Sequence, residues 1–326
     1  MALLAATALL SVHCATAPTP DPSAAAEPPP APELIGPDFA MPPFHRVTGG
    51  DGAELLVMGT IHLGPAGGWR FAPAIDDGLA RASRIVLELD LRRATEEAIG
   101  GLLMQLVILP PPDTLPDVVS PETRKLLVEM DAQLAMAGLP GLARRQLKPW
   151  FVAMGLIEST VQRSGYSNLQ SAELAILERL GDRPLDGLET AEEQLRMLDA
   201  MPLEAQDALL RDALLRFDEA TEDLHALVEA WRGGDEAALA ELVRLGVDEV
   251  PELEQVYDVV NRDRNARWVA PLRAYLDDPE LAGETVFVGV GALHVVGDEG
   301  VVALLREAGY RVESIDPFER PRSPGR

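Results

Sequence analysis

Two segments near opposite ends of the chain share one pattern: an apolar run with no polar face, then Gly-x-x-His, then a further glycine. The first is Leu55-Leu56-Val57-Met58-Gly59-Thr60-Ile61 with His62 and Gly64; the second runs from Glu284 to Val290 and continues Gly291-Ala292-Leu293-His294 to Gly297. A strand that is apolar on both faces has to be covered on both, as central strands of an α/β sheet are. The two runs therefore predict neighbouring strands of one sheet. Each histidine then sits just outside a strand end, where open α/β sheets bind ligands.

The rest of the chain fits around these strands. Phe44 to Val47 and Glu54 to Ile61, joined by Thr48-Gly49-Gly50-Asp51-Gly52, read as a hairpin. Helical spacing at Ile75, Leu79 and Ala82 predicts a helix over Pro73 to Ser83, and Arg84 to Leu91 reads as the next strand, giving a parallel crossover unit. Ala94 to Leu281 reads as largely helical, with starts at Ser120-Pro121-Glu122 and at the capping box Thr190 to Glu193, and with one short strand over Arg183 to Leu188. Asp298 is placed to cap a helix running to about Ala308, and Tyr310 to Ile315 closes the sheet. The expected fold is α/β, a mixed central sheet built from N- and C-terminal strands with a large helical insertion.

The outer segments have other compositions. Met1 to Val12 is a short apolar stretch followed by small residues, so residues 1–16 read as a signal peptide. Cys14, the only cysteine, stands where a lipoprotein signal carries its lipidated residue, although His13 occupies a position that a lipobox fills with a small residue. Lipid anchoring and plain secretion both remain open, and either exports the protein to the periplasm, the membrane face or the medium. Residues 17–43 form a Pro/Ala-rich linker, the folded domain spans 44–318, and 319–326 is a Pro- and Arg-rich tail. With no second cysteine, an intramolecular disulfide and a multi-thiolate metal site are both excluded. Lys and Arg number 28 against 53 Asp and Glu, a net charge of -25, which excludes nucleic acid as an electrostatic partner.

Residues suited to chemistry are few. His45, at the edge of the first strand, and His225, beside Glu222 and Asp223, read as solvated. His62 and His294 share the Gly-x-x-His context, in which Gly59 and Gly291 allow a tight turn or a close approach that aims the imidazole into a cleft. Glu88 interrupts the apolar strand Ile85-Val86-Leu87-Glu88-Leu89, and a buried carboxylate survives there only with a cation, a metal or a protonated partner. That partner is either a metal held with the two histidines or an arginine of the helical part. Strand alternation puts Asp90 on the same face as Glu88. Asn261, Arg264, Asn265 and Trp268 share one helical face, a pattern that by itself describes an exposed stripe. Neither Gly-x-Ser-x-Gly, His-Glu-x-x-His nor a phosphate-binding glycine loop occurs.

Taken in order, Gly59-Thr60-Ile61-His62-Leu63-Gly64, Val86-Leu87-Glu88-Leu89-Asp90, Leu147-Lys148-Pro149-Trp150, Gly187-Leu188-Glu189-Thr190 with Glu193-Gln194, Arg264-Asn265 and Gly291-Ala292-Leu293-His294 resemble the motifs of the TraB/GumN group, over about Phe44 to Ile315. That group is related to the Tiki metalloproteases, to erythromycin esterase and to the haem-binding ChaN proteins, so the resemblance implies an α/β core with a helical insertion. In Tiki-like members the paired Gly-x-x-His motifs and the strand glutamate are regarded as metal-binding and catalytic, which maps onto His62, His294 and Glu88. The implied activity is that of an exported hydrolase of peptide-like or small-molecule ester substrates, dependent on Mn, Co or Zn. Arg264 would stabilise developing negative charge and Asn265 would contact substrate. The alternative is a non-catalytic protein that holds a peptide signal or haem in the same cleft.

Overall fold

The computed structural model of this chain describes residues 39–93 and 96–316. The signal segment, Cys14, the linker as far as residue 38 and the tail 319–326 lie outside the described residues. Six strands, β1 (Phe44–Thr48), β2 (Glu54–Thr60), β3 (Arg84–Leu89), β4 (Leu185–Glu189), β5 (Thr285–Gly291) and β6 (Arg311–Ser314), form one sheet. Their order is β4-β3-β5-β2-β1-β6. The first four in that order are mutually parallel, while β1 is antiparallel to both its neighbours. The sheet is therefore mixed, and it draws its strands from both ends of the chain. β5 inserts between β2 and β3, pairing Gly59 with Val290 and Thr60 with Gly291, so the two glycine motifs lie side by side.

Apolar alternation explains the layers. Leu55, Val57, Val86, Val286 and Val288 pack against Trp268, Leu272 and Leu276 of the helix Asp263–Asp277 and against Val301 and Leu305 of the helix Val301–Glu307. Leu56, Met58, Ile85, Leu87 and Phe287 face the other way, onto Ile75 and Leu79 of the helix Pro73–Arg81 and Leu224 and Trp231 of the helix Ala220–Gly233. Buried on both sides, these strands need the near-continuous hydrophobic runs they carry. The helical insertion has its own core around Trp150, Leu156, Leu209 and Leu210, between the helices Pro149–Arg163 and Leu203–Leu215. Ser120 and Thr190 cap their helices as expected, Thr190 within a capping box with Glu193. Among the described residues no helix is long and apolar enough to cross a membrane.

Several local expectations are corrected. β3 stops at Leu89, because the Asp90 carboxylate turns the chain by accepting from the backbone N–H and side chain of Arg92. Asp90 therefore lies just beyond the strand, with its carboxylate on Arg92 and Arg93 rather than on the groups that meet Glu88. After β5 the chain enters a single helical turn, Ala292–Val295, so His294 sits on that turn, and the next helix starts at Val301 after Gly300 rather than from a cap at Asp298. The packed chain also begins ahead of Phe44: Ala40 is buried and bonds Arg70 and Ala72, and the Met41 N–H donates to the Arg232 carbonyl. His45 is not solvated; it is buried, with Nε2 3.1 Å from Glu236 Oε1. His225 is half-buried, its Nε2 3.3 Å from the Ser164 carbonyl and its ring edge-on to Tyr166.

Candidate functional site

Glu88 follows the alternation of β3, so it points with Val86 toward the helix that carries Trp268. One turn before Trp268 on that helix is Arg264, fully buried, which meets the carboxylate directly: Nη2 donates to Glu88 Oε2 at 2.6 Å. The other oxygen, Oε1, accepts from the Gly291 backbone N–H at 2.6 Å. Burial alone would push this carboxyl up, but the Arg264 guanidinium, with the neighbouring histidines and the Gly291 amide, outweighs it and lowers the pKa from 4.5 to about 2. Glu88 is thus ionised at neutral pH. The arginine partner foreseen for Glu88 is present, and it comes from the polar stripe that the sequence read as exposed. Asn261, Arg264, Asn265 and Trp268 are all buried, each 2% exposed or less.

A π turn over Asp258–Arg262 contains Asn261 and leads directly into the helix that carries Arg264 and Asn265, and the three side chains converge on the turn bearing His294. Asn261 Nδ2 donates to the Leu293 carbonyl, and Asn265 Nδ2 donates to Asn261 Oδ1 and to the Glu299 carbonyl. Both Asn265 amide hydrogens are then used, so its Oδ1 is the atom that faces His294 Nδ1 at 2.7 Å and accepts the Nδ1 hydrogen. His294 Nε2 is left as an acceptor, and Arg264 Nη1 donates to it at 3.0 Å. Burial, reinforced by the Arg264 charge, drives the His294 pKa down to about 3 and keeps the ring neutral. Its ring also packs on Trp268, 4.6 Å between centroids.

His62 approaches from the end of β2. Its Nε2 lies 4.0 Å from Glu88 Oε1, and its Nδ1 lies 3.1 Å from Oε1 of a second buried carboxylate, Glu173. Burial lowers the pKa of this ring, yet the two carboxylates prevail and raise it, Glu173 contributing more than Glu88. Glycine makes the convergence possible. A Cβ on Gly291 would stand 3.1 Å from Glu88 Oε1, 3.4 Å from His294 Cδ2 and 3.7 Å from His62 Nε2, so all three side chains crowd the space that this residue leaves empty. A Cβ on Gly59 would press on Ala292 at 2.9 Å, so that glycine lets β2 lie close against the turn carrying His294.

The structure brings together His62, Glu88, Arg264, Asn265, His294 and the two motif glycines. Two carboxylates of the site were not singled out in the sequence. Glu173 occupies the first turn of the helix Ala172–Glu178, where an acidic residue is ordinary. Glu189, at the end of β4, accepts from Arg264 Nε at 3.0 Å, from Trp268 Nε1 at 3.0 Å and from Arg267 and Gln194, and so fixes the guanidinium from its far side. Its place in Gly187-Leu188-Glu189-Thr190, at a strand end, was the one available signal. Glu189 also lines a cavity of about 370 Å³ at the ends of β3 and β4, whose walls include Leu89, Asp90, Ile99, Leu102 and Thr190.

The donor set suits a divalent cation in part. His62 and Glu88 face each other across the gap left by Gly291, and Glu88 and Glu189 grip the fully buried Arg264 from two sides. His294 has the lone pair of a ligand, but Arg264 occupies it. Among the described residues no group of three His, Cys, Asp or Glu side chains is spaced as a ready metal cage. His62 and Glu88 thus face a position that an ion could share, while the acceptor nitrogen of His294 is held by the guanidinium.

No curated protein and no solved structure matches the chain. The sequence model of one family, described as TraB/PrgY/gumN, matches residues 43–314, from just before β1 through the last residue of β6 and across every residue of the cluster. By that match the chain belongs to the TraB/PrgY/gumN family.

Proposed function

We propose that this chain is an exported, metal-dependent hydrolase of peptide-like or ester bonds, with its reactive centre at His62, Glu88, Arg264 and His294. The observation that supports this best is the ionised, buried Glu88 at the end of parallel strands, facing an imidazole across a space kept open by Gly291. A purely structural core gains little from burying Glu88 and Glu173 there, since replacing such pairs by apolar residues is often neutral or stabilising. Catalytic sites do gather such groups.

His62 and Glu88 would hold the ion, and His294, whose Nε2 accepts from Arg264, would position the guanidinium beside it. When bound, Mn, Co or Zn supplies Lewis-acid chemistry, polarising a carbonyl and making water nucleophilic near neutral pH. Glu88, held ionised by Arg264 and the Gly291 amide, would serve as a ligand of the ion or as the base that takes a proton from water. Asn265 keeps the His294 Nδ1 hydrogen in place, which directs the Nε2 lone pair inward. Arg264, gripped by Glu189, presents a fixed positive charge where negative charge develops on the substrate oxygen. The haem-holding alternative draws no comparable support, since both imidazoles are buried and the inner nitrogen of His294 is occupied by Arg264.

Elemental analysis of the purified full-length protein and of His62→Ala tests the reading, together with turnover of a fluorogenic peptide mixture and of p-nitrophenyl esters. The expected result is about one transition-metal ion per chain, diminished in the variant, and hydrolysis that a chelator abolishes. Failure to take up Mn, Co or Zn on reconstitution, or turnover indifferent to chelation, overturns it.

A further inference from the structure

We infer that Glu173 is a positioning residue for His62: it holds the Nδ1 side of the ring so that Nε2 is the nitrogen presented to Glu88 and Gly291. A carboxylate only accepts hydrogen bonds, so a ring nitrogen held 3.1 Å from Glu173 Oε1 is the one that carries the hydrogen. The opposite nitrogen, Nε2, is the one that lies 4.0 Å from Glu88 Oε1. The imidazole is thereby fixed both in rotation and in tautomer, as a carboxylate does for metal-binding histidines in general.

The backbone is built to deliver Glu173 to this place. The Ala172 N–H donates to the Ile61 carbonyl, the residue before His62, and Gly64 and Ser167 exchange both backbone hydrogen bonds. The segment 61–64 is thus laced to the start of the helix Ala172–Glu178, with Ser171 capping that helix through Leu174 N–H. A Cβ on Gly64 would overlap the Gln170 carbonyl oxygen, so glycine is required for the two segments to lie this close. This accounts for the glycine that follows His62 by two residues. It also explains why a glutamate of the helical insertion, far from the strands in sequence, reaches the reactive centre. Both Glu173 and His62 are buried, so the pair is shielded from competing water.

The consequence for metal binding rests on the reading given under Proposed function, whereas the ring orientation does not. Both are measured on the full chain. Long-range ¹H–¹⁵N correlation on ¹⁵N-histidine-labelled protein, at alkaline pH where the ring is neutral, reads which nitrogen of His62 carries hydrogen. Competition of Zn²⁺ against a chromophoric chelator reads affinity. The parent is expected to show the Nδ1–H tautomer. Glu173→Gln, which can turn either its oxygen or its amide to the ring, is expected to lose that single tautomer and to bind Zn²⁺ about 10- to 100-fold more weakly with its circular dichroism unchanged. Glu173→Asp, which keeps the charge but retracts it by one methylene, should fall between the two and replaces the glutamine variant if that one does not fold. An Nε2–H tautomer in the parent, or Zn²⁺ affinity within twofold of the parent in the folded variants, overturns the inference. A parent that takes no Zn²⁺, Mn²⁺ or Co²⁺ removes the metal reading alone; the tautomer and its response to the substitutions then uphold or overturn the role of Glu173.

Discussion

Glu88→Gln removes one charge and almost nothing else. The glutamine oxygen can still accept from the Gly291 N–H, and the side chain keeps its volume, but Arg264 Nη2 loses its anionic partner. The folded carboxyl has a pKa of about 2 against 4.5 for an unperturbed glutamate, and each unit is worth about 1.4 kcal/mol, so ionised Glu88 stabilises the fold by roughly 3 kcal/mol at pH 7. This lies at the low end of the range for breaking a buried pair, about 3 to 5 kcal/mol, because Glu189 still holds the guanidinium on its other side. The sign of the pH dependence follows from a depressed pKa. The contribution is present in full above the unfolded value near 4.5 and fades as the pH falls through the folded value near 2, to about half by pH 3. Urea unfolding of parent and variant at pH 7, 5 and 3, with a chelator present so that no cation substitutes for Arg264, should give a difference that is large at the first two and roughly halved at the third. A difference below about 1 kcal/mol at pH 7, or one that stays constant down to pH 3, would refute the electrostatic account of this site.

Other consequences follow from the same contacts. Gly291→Ala keeps an allowed backbone, with φ -47 and ψ 137, but sets a methyl among Glu88, His62 and His294; it should fold with a loss of about 1 to 3 kcal/mol and lose Zn²⁺ uptake in a chelator competition. Gly64→Ala should cost more, because the clash is with the Gln170 backbone rather than with a side chain that can move, and a melting curve no lower than that of Gly291→Ala would count against the close approach described above. A chain trimmed to start at Phe44 should melt below one that starts at Phe39, since it loses the bonds of Ala40 to Arg70 and Ala72, of Met41 to Arg232 and of Pro43 to Gly59; equal melting temperatures would mean those bonds contribute nothing.

The parts of this site that sequence made legible are those where one residue breaks a strong local pattern. Glu88 stands out because every neighbour in its strand except the terminal arginine is apolar, and desolvation demands a partner for it whatever the fold. The two histidines stand out because their strands are apolar on both faces, which places the strands at the centre of a sheet and the residues that follow them at its edge. The elements that were misread obey local rules that tertiary packing overrides. Asn261, Arg264 and Asn265 have the spacing and polarity of a solvent-facing stripe, and only the sheet end packed against them turns that stripe inward. His45 likewise looks like an edge residue until the helix bearing Glu236 covers it.

Glu173 is the instructive case. An acidic residue in the first turn of a helix satisfies the dipole and asks for no further explanation, so nothing within its own segment marks it. The signal lies in a different place, in Gly64, whose lack of a side chain is needed only because the Ser167–Ala172 segment passes within bonding distance of the chain beside His62. A glycine that follows a buried histidine by two residues therefore carries information about what packs on that histidine, here a carboxylate contributed by an otherwise separate helical layer. The strands and the insertion are joined at this point by two backbone hydrogen bonds between Gly64 and Ser167, one from Ala172 to Ile61, and one ion pair, so loosening that seam would be felt at His62 before it was felt in either hydrophobic core.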